Sequence, residues 1–124
     1  MSVIGWKLDR DQRTELLAQF PPEWPDVIAD HVTLAAYVDA EALLPAPVHA
    51  EIVGEISDGE GLQAMVVALD GGTDRPDGSV WHITWSLDLS GGRKPVESNA
   101  LIAERGWRPL AAPVAIRLTP ARLD

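Results

Sequence analysis

The chain has no cysteine among its 124 residues, which removes disulfides, thiolate metal ligands and a Cys nucleophile at once. Redox therefore does not constrain the compartment, and a reducing cytosol is compatible with the chain. Basic residues are also scarce: ten Lys and Arg stand against nineteen Asp and Glu, a formal charge of -9. Affinity for a long phosphate backbone comes from Lys and Arg displacing counterions, so this balance argues against an extended nucleic-acid footprint. A small or terminal nucleotide remains compatible with it. Long apolar runs are missing too, and nothing approaches the roughly 20 residues that a membrane helix needs. The opening Met1-Ser2-Val3-Ile4-Gly5-Trp6 lacks the basic start and apolar run of a signal peptide. The expectation is a soluble, cytoplasmic monomer that does not touch a membrane.

What is present is the composition of an ordinary folded protein, 46% apolar and 23% charged, and a length that suits one domain over residues 1–124. Residues 3–8 read as a short strand interrupted by a glycine. Asp9 or Asp11 can cap a helix to about Phe20, with Leu16, Leu17 and Phe20 on one face, and Pro21 and Pro22 end it. A strand is expected from Val27 through Tyr37, then a helical turn from Asp39 to Leu44. Val48 to Ile56 and Leu62 to Leu69 read as a hairpin around Ser57-Asp58-Gly59-Glu60-Gly61. A turn over residues 70–78 leads into a strand from Ser79 to Leu89. Pro95 opens a second helix to Arg105, stopped by Gly106. Val114 to Leu118 closes the chain as a strand. Strands and helices mix without strict βαβ alternation, which predicts an α+β fold with two helices and largely antiparallel sheets. Each half holds a helix and a strand bearing His-x-Thr, a faint internal echo.

Those two strands carry the chemistry. The motifs are His31-Val32-Thr33-Leu34 and His82-Ile83-Thr84-Trp85. Side chains in a strand alternate faces, so His31 and Thr33 share one surface while Val32 and Leu34 take the other. By the same parity His82 and Thr84 go together, with Trp81, Ile83 and Trp85 turned to the core. Side by side, the strands offer two imidazoles and two hydroxyls. One neutral His can take a proton from a nucleophile while the other, protonated, gives one to the leaving oxygen. The Thr hydroxyls can donate to oxygens on which charge builds. The set suits a phosphodiester.

The pair of histidine–apolar–Thr–apolar motifs resembles the two-histidine phosphoesterases, which include bacterial RNA 2′,3′-cyclic phosphodiesterases and the cyclic phosphodiesterase module of tRNA ligases. The stretch His82-Ile83-Thr84-Trp85-Ser86-Leu87, followed by Lys94-Pro95-Val96-Glu97-Ser98-Asn99, is similar to small domains associated with RNA repair. The resemblance implies a bilobal fold with the motifs facing across a central cleft. It also implies metal-independent chemistry without a cofactor, and catalysis by His31, Thr33, His82 and Thr84. The substrate expected is a 2′,3′-cyclic phosphate on an RNA end or a small cyclic nucleotide. The rival readings are a hydrolase of cyclic oligonucleotide signals, a non-catalytic module that binds a nucleotide or a partner protein, and an adaptor in which the Thr–His pairs are structural.

Other residues are candidates for binding. Tyr37 falls on the His31 face by parity (31, 33, 35, 37) and is placed to stack on a base. Lys94, Ser98 and Asn99 lie where the second helix begins, and a helix N-terminus favours an anion such as a substrate phosphate. Asp26 and Asp30 precede the first motif, where one of them can orient a histidine. Trp6, Trp24 and Trp107 read as packing residues, and His49, with no Thr two residues on, as structural or surface. Three His, no Cys and no His-x-x-x-His spacing give a metal site no positive support.

Overall fold

The computed structural model describes residues 1–124 and is an α+β fold with two helices and two antiparallel sheets. In chain order the elements are β1 (Ser2–Leu8), α1 (Arg10–Gln19), β2 (Asp26–Val27), β3 (His31–Val38), β4 (Ala50–Ser57), β5 (Leu62–Leu69), β6 (His82–Leu87), α2 (Glu97–Arg105), β7 (Arg108–Ile116) and β8 (Leu118–Arg122). The smaller sheet runs β3-β1-β8 and the larger β2-β6-β5-β4-β7. No helix is long and apolar enough to cross a membrane.

One core joins the sheets. Trp6 and Leu8 of β1, Leu16 of α1 and Val32 of β3 pack with Ile52, Met65, Val67, Ile83 and Trp85 of the larger sheet. Fully burying side chains of this size contributes about 1.5–3 kcal/mol each. Trp6 meets Trp81 edge to face at 5.5 Å between ring centres, and Trp85 donates its indole N–H to the Phe20 carbonyl at 2.8 Å. The parity expected for Trp81, Ile83 and Trp85 is therefore observed. β5, central in its sheet, is buried along its whole length. Its Leu62 sits with Leu87 and with Leu101 of α2 in a second, smaller cluster. Asp9 caps α1 by accepting from the Gln12 N–H at 2.9 Å.

Between residues 26 and 31 the chain changes sheets. After β2, the N–H groups of Ile28 and Ala29 still bond to the carbonyls of Trp85 and Thr84, at 2.9 and 3.0 Å. Ala29 then turns in the left-handed region (φ 42), and the chain leaves β6 to become β3. The Arg13 guanidinium holds this corner by donating to the carbonyls of Ala29 (2.8 Å) and Ile28 (3.0 Å). The continuous strand expected from Val27 to Tyr37 is thus two strands around a corner. The first motif starts two residues after the chain's last hydrogen bond to the second motif.

β3 is irregular against β1. Gly5 pairs with Thr33, Ile4 with Ala35 and Ser2 with Val38, so each of two steps places an extra residue on β3. A β-carbon on Gly5 would stand 2.1 Å from the Val32 carbonyl oxygen and 3.0 Å from the Leu34 nitrogen. Only glycine lets the bulged strand come this close.

At the C-terminus the single expected strand, Val114–Leu118, is two strands that include Pro109, Pro113 and Pro120. Both are edge strands, where a residue without an N–H can face away from the ladder.

Candidate active site

The bend at Ala29 brings the two motifs together. His31 and Thr33 of β3, with His82 and Thr84 of β6, line one cavity of about 320 Å³. Val3 and Ala36 complete its β3 side, and Pro95, Val96 and Asn99 at the start of α2 form another wall. Arg75 reaches in from the loop before β6. No carboxylate lines this cavity, although the chain as a whole is acidic.

The two imidazoles are held differently. His82 Nδ1 lies 2.9 Å from the Val80 carbonyl oxygen. A carbonyl only accepts, so Nδ1 carries the hydrogen and Nε2 of the neutral ring has a free lone pair. Burial lowers the His82 pKa from its usual value. The nearby charges of Arg75 and His31 add to that shift, while the Val80 carbonyl and Asp77 oppose it. The ring is neutral at neutral pH. His31 Nδ1 instead lies 3.0 Å from Asp30 Oδ2. Burial of Asp30 raises its pKa, but hydrogen bonds from Lys7 and His31 outweigh that and hold it at about 2. Asp30 also takes contacts from Lys7 Nζ at 2.8 Å and Arg10 Nη2 at 3.0 Å. An ionised carboxylate accepts only, so His31 Nδ1 is also a donor and its Nε2 is left for other partners. Asp30 is thus the orienting carboxylate, and Asp26 is not: it accepts from the Leu89 N–H at 2.9 Å.

The Thr84 hydroxyl lies 3.3 Å from the Pro95 carbonyl and 2.9 Å from Ser98 Oγ. Because Thr84 has one hydrogen and Pro95 O cannot donate, Ser98 donates to Thr84 while Thr84 donates to Pro95. A bound oxyanion has to draw the Thr84 proton away from that carbonyl.

The remaining candidates fare unequally. Asn99 lines the cavity, and its buried Oδ1 has no hydrogen-bond partner. Ser98 is fully buried behind Thr84 and orients it, so it does not itself reach the cavity. Lys94 is exposed and outside the lining. The helix N-terminus expected near Pro95 offers an anion little. The N–H groups of Glu97, Ser98 and Asn99 already bond to the carbonyls of Lys94, Pro95 and Val96 at 3.1–3.3 Å. Tyr37 is 81% exposed and outside the cavity, because the bulge near Leu34 shifts the alternation and turns Ala36 inward instead. Tyr37 has φ 57, a left-handed conformation at the second irregularity. Arg75 has no counterpart among the expected residues. Its one sequence signal is that it is the only Lys or Arg between Leu69 and His82.

Trp24 and Trp107 are partly buried, as packing residues can be. Trp107 covers Gly54 and also lines a larger cavity of about 530 Å³ that contains no histidine. In that cavity Arg108 pairs with Glu55, and Ser57 donates to Glu23 at 2.6 Å. Compared with family models, curated proteins and solved structures, the chain matches none.

Proposed function

We propose that the protein is a phosphodiesterase of the two-histidine class, acting on a 2′,3′-cyclic phosphate of an RNA end or on a small cyclic nucleotide. One observation carries the reading: both histidines and both threonines of the paired motifs line one small cavity. Each ring spends Nδ1 on an acceptor, which leaves both Nε2 atoms for acid–base work. In this reading the cavity is a central cleft between two lobes, with β3 on one side and β6 on the other.

His82, neutral and half-buried, is the general base. Its Nε2 takes a proton from water as the water oxygen attacks phosphorus. His31, resting on an ionised carboxylate, is the ring suited to carry positive charge. It protonates the departing ribose oxygen as the P–O bond breaks, giving a phosphomonoester and a free hydroxyl. Thr33 and Thr84 donate to the non-bridging oxygens, and the unpartnered Asn99 Oδ1 accepts from the ribose hydroxyl that the reaction frees. Proton transfer by two side chains and hydroxyl donation complete this scheme.

The test is hydrolysis of adenosine 2′,3′-cyclic phosphate, and of an RNA ending in a 2′,3′-cyclic phosphate, in the presence of EDTA. Turnover that survives the chelator and disappears in His31→Ala and His82→Ala is the expected result. Activity abolished by EDTA, or kept by both variants, contradicts the reading.

A further inference from the structure

Arg75 sits in a loop but behaves like an interior residue. Its backbone N–H donates to the Ser79 carbonyl at 2.8 Å, its carbonyl accepts from the Gly78 N–H at 2.9 Å, and Asp74 bridges to Val80. This closed turn aims the side chain back at β3, where Nε donates to the Leu34 carbonyl at 3.2 Å. Only 12% of the side chain is exposed. Its one carboxylate neighbour, Asp77, is 3.5 Å from Nη2, beyond a good hydrogen bond, and is 56% exposed. Nη1 donates to no protein group. Two other cations near the motifs, Lys7 and Arg10, are taken by Asp30.

A guanidinium with little of its side chain exposed, held against β3 and with donors left over, is suited to take an anion. The cavity it lines holds two imidazoles, two hydroxyls and no carboxylate, in a chain of net charge -9. We infer that Arg75 is the anion anchor of this cavity, holding the phosphate of a singly charged phosphodiester beside His31 and His82. The diester rests on the phosphodiesterase reading above, while the anion rests on the geometry of Arg75 alone. With one fixed positive charge, the site matches one negative charge. The same guanidinium then has a second effect: its charge helps keep His82 unprotonated, as the base must be. The charged groups acting on His82 are Arg75 and Asp77 from the loop and His31 from β3.

The experiment uses the full chain and two probes, inorganic phosphate and adenosine 2′,3′-cyclic phosphate. Phosphate binding is followed through the His82 and His31 ring resonances, and turnover through KM and kcat. Arg75→Gln is expected to weaken phosphate binding and raise KM by about ten- to a hundredfold, the range of a hydrogen bond to a charged group. Arg75→Lys restores part of it, and the His82 titration in Arg75→Gln moves to higher pH. Because Arg75 also braces Leu34, Asp77→Asn gives a second reading without touching that bond. Freed of its competitor, the guanidinium is expected to bind phosphate about two- to threefold more tightly, the size of a weak exposed ion pair. Unchanged phosphate binding in both Arg75→Gln and Asp77→Asn overturns the anchor, whatever the turnover. If no cyclic phosphate is turned over but phosphate binding follows Arg75 and Asp77 as described, the anchor stands and the phosphodiesterase reading falls.

Discussion

β3 and β6 carry the same four-residue pattern, yet the fold holds them in opposite ways. β6 lies inside the larger sheet, paired with β5 along its length but for one bulge at Trp85, and five of its six residues are buried. β3 is the edge of the smaller sheet, bulged at two points and buried fully only at Val32. The histidines follow suit. His82 leans on a main-chain carbonyl that no substitution removes, whereas His31 leans on Asp30, a side chain shared with Lys7 and Arg10. An identical motif on unequal supports yields a neutral ring on one side and a carboxylate-backed ring on the other, which is the asymmetry that acid–base catalysis uses.

The largest effects come from removing the rings. His82→Ala and His31→Ala are each expected to lower kcat on a cyclic phosphate by about 10²–10⁴-fold. A phosphodiester with a p-nitrophenyl leaving group separates them, because that group departs without a proton. On it His31→Ala should recover most of its activity and His82→Ala little. The reverse pattern in kcat exchanges the two roles.

The supports differ in what a single atom can undo. Gly5→Ala places a methyl against the Val32 carbonyl, at the base of the first motif. Urea denaturation should show a loss of about 1–3 kcal/mol, typical of overpacking. Activity is expected to fall with it, through displacement of His31 and Thr33. A variant as stable and active as the wild type would show that β3 has slack.

The pH windows sharpen the contrast. Asp30 is depressed from 3.8 to about 2, so the native state binds its proton less readily than the unfolded chain. Its contribution is present above 3.8 and lost as pH falls toward 2. With solvent screening that is about 1 kcal/mol, to be read as the difference between wild type and Asp30→Asn in urea titrations between about pH 5 and pH 2. His82 is also depressed, from 6.5, so the unfolded chain takes its proton first. Stability is therefore expected to drop as pH falls below 6.5, and His82→Gln should remove that slope. The acid limb of kcat/KM, where the base is lost, should likewise lie below pH 6.5. An acid limb at or above that pH contradicts a neutral, half-buried base.

The asymmetry was only half legible in the sequence. Period-two alternation located both motif strands and sent Val32, Ile83, Trp81 and Trp85 to the core, because a local pattern reports a local face. The same alternation misplaced Tyr37, since a bulge depends on what Gly5 of the partner strand permits. The corner at Ala29 was invisible for a similar reason: an alanine with positive φ is held there by Arg13 and by β6, not by its neighbours in sequence. Arg75 looked like part of a turn because what makes it a site residue, Leu34 and the cavity, lies 41 positions away. The strand expected over Val114–Leu118 falls short of β7 and β8, whose prolines are tolerated because both strands lie at sheet edges.

The smallest effect belongs to Tyr37, where the irregular strand gives the motif surface up to solvent. The side chain is 81% exposed, lies outside the cavity and sits at φ 57, which glycine adopts freely and tyrosine does not. Tyr37→Gly trades relief of that conformation against greater freedom in the unfolded chain, and the two are of similar size. Stability is expected to stay within about 0.5 kcal/mol of the wild type, as at other exposed positions. KM for adenosine 2′,3′-cyclic phosphate should change by less than about twofold, whereas a base stacked on the ring would forfeit about 1–3 kcal/mol, an effect of tenfold or more. A KM that rises that far would mean the bulged end of β3 folds over the cavity when substrate binds, and the contrast between a buried β6 and a less buried, bulged β3 would then bear on substrate binding as well as on the resting fold.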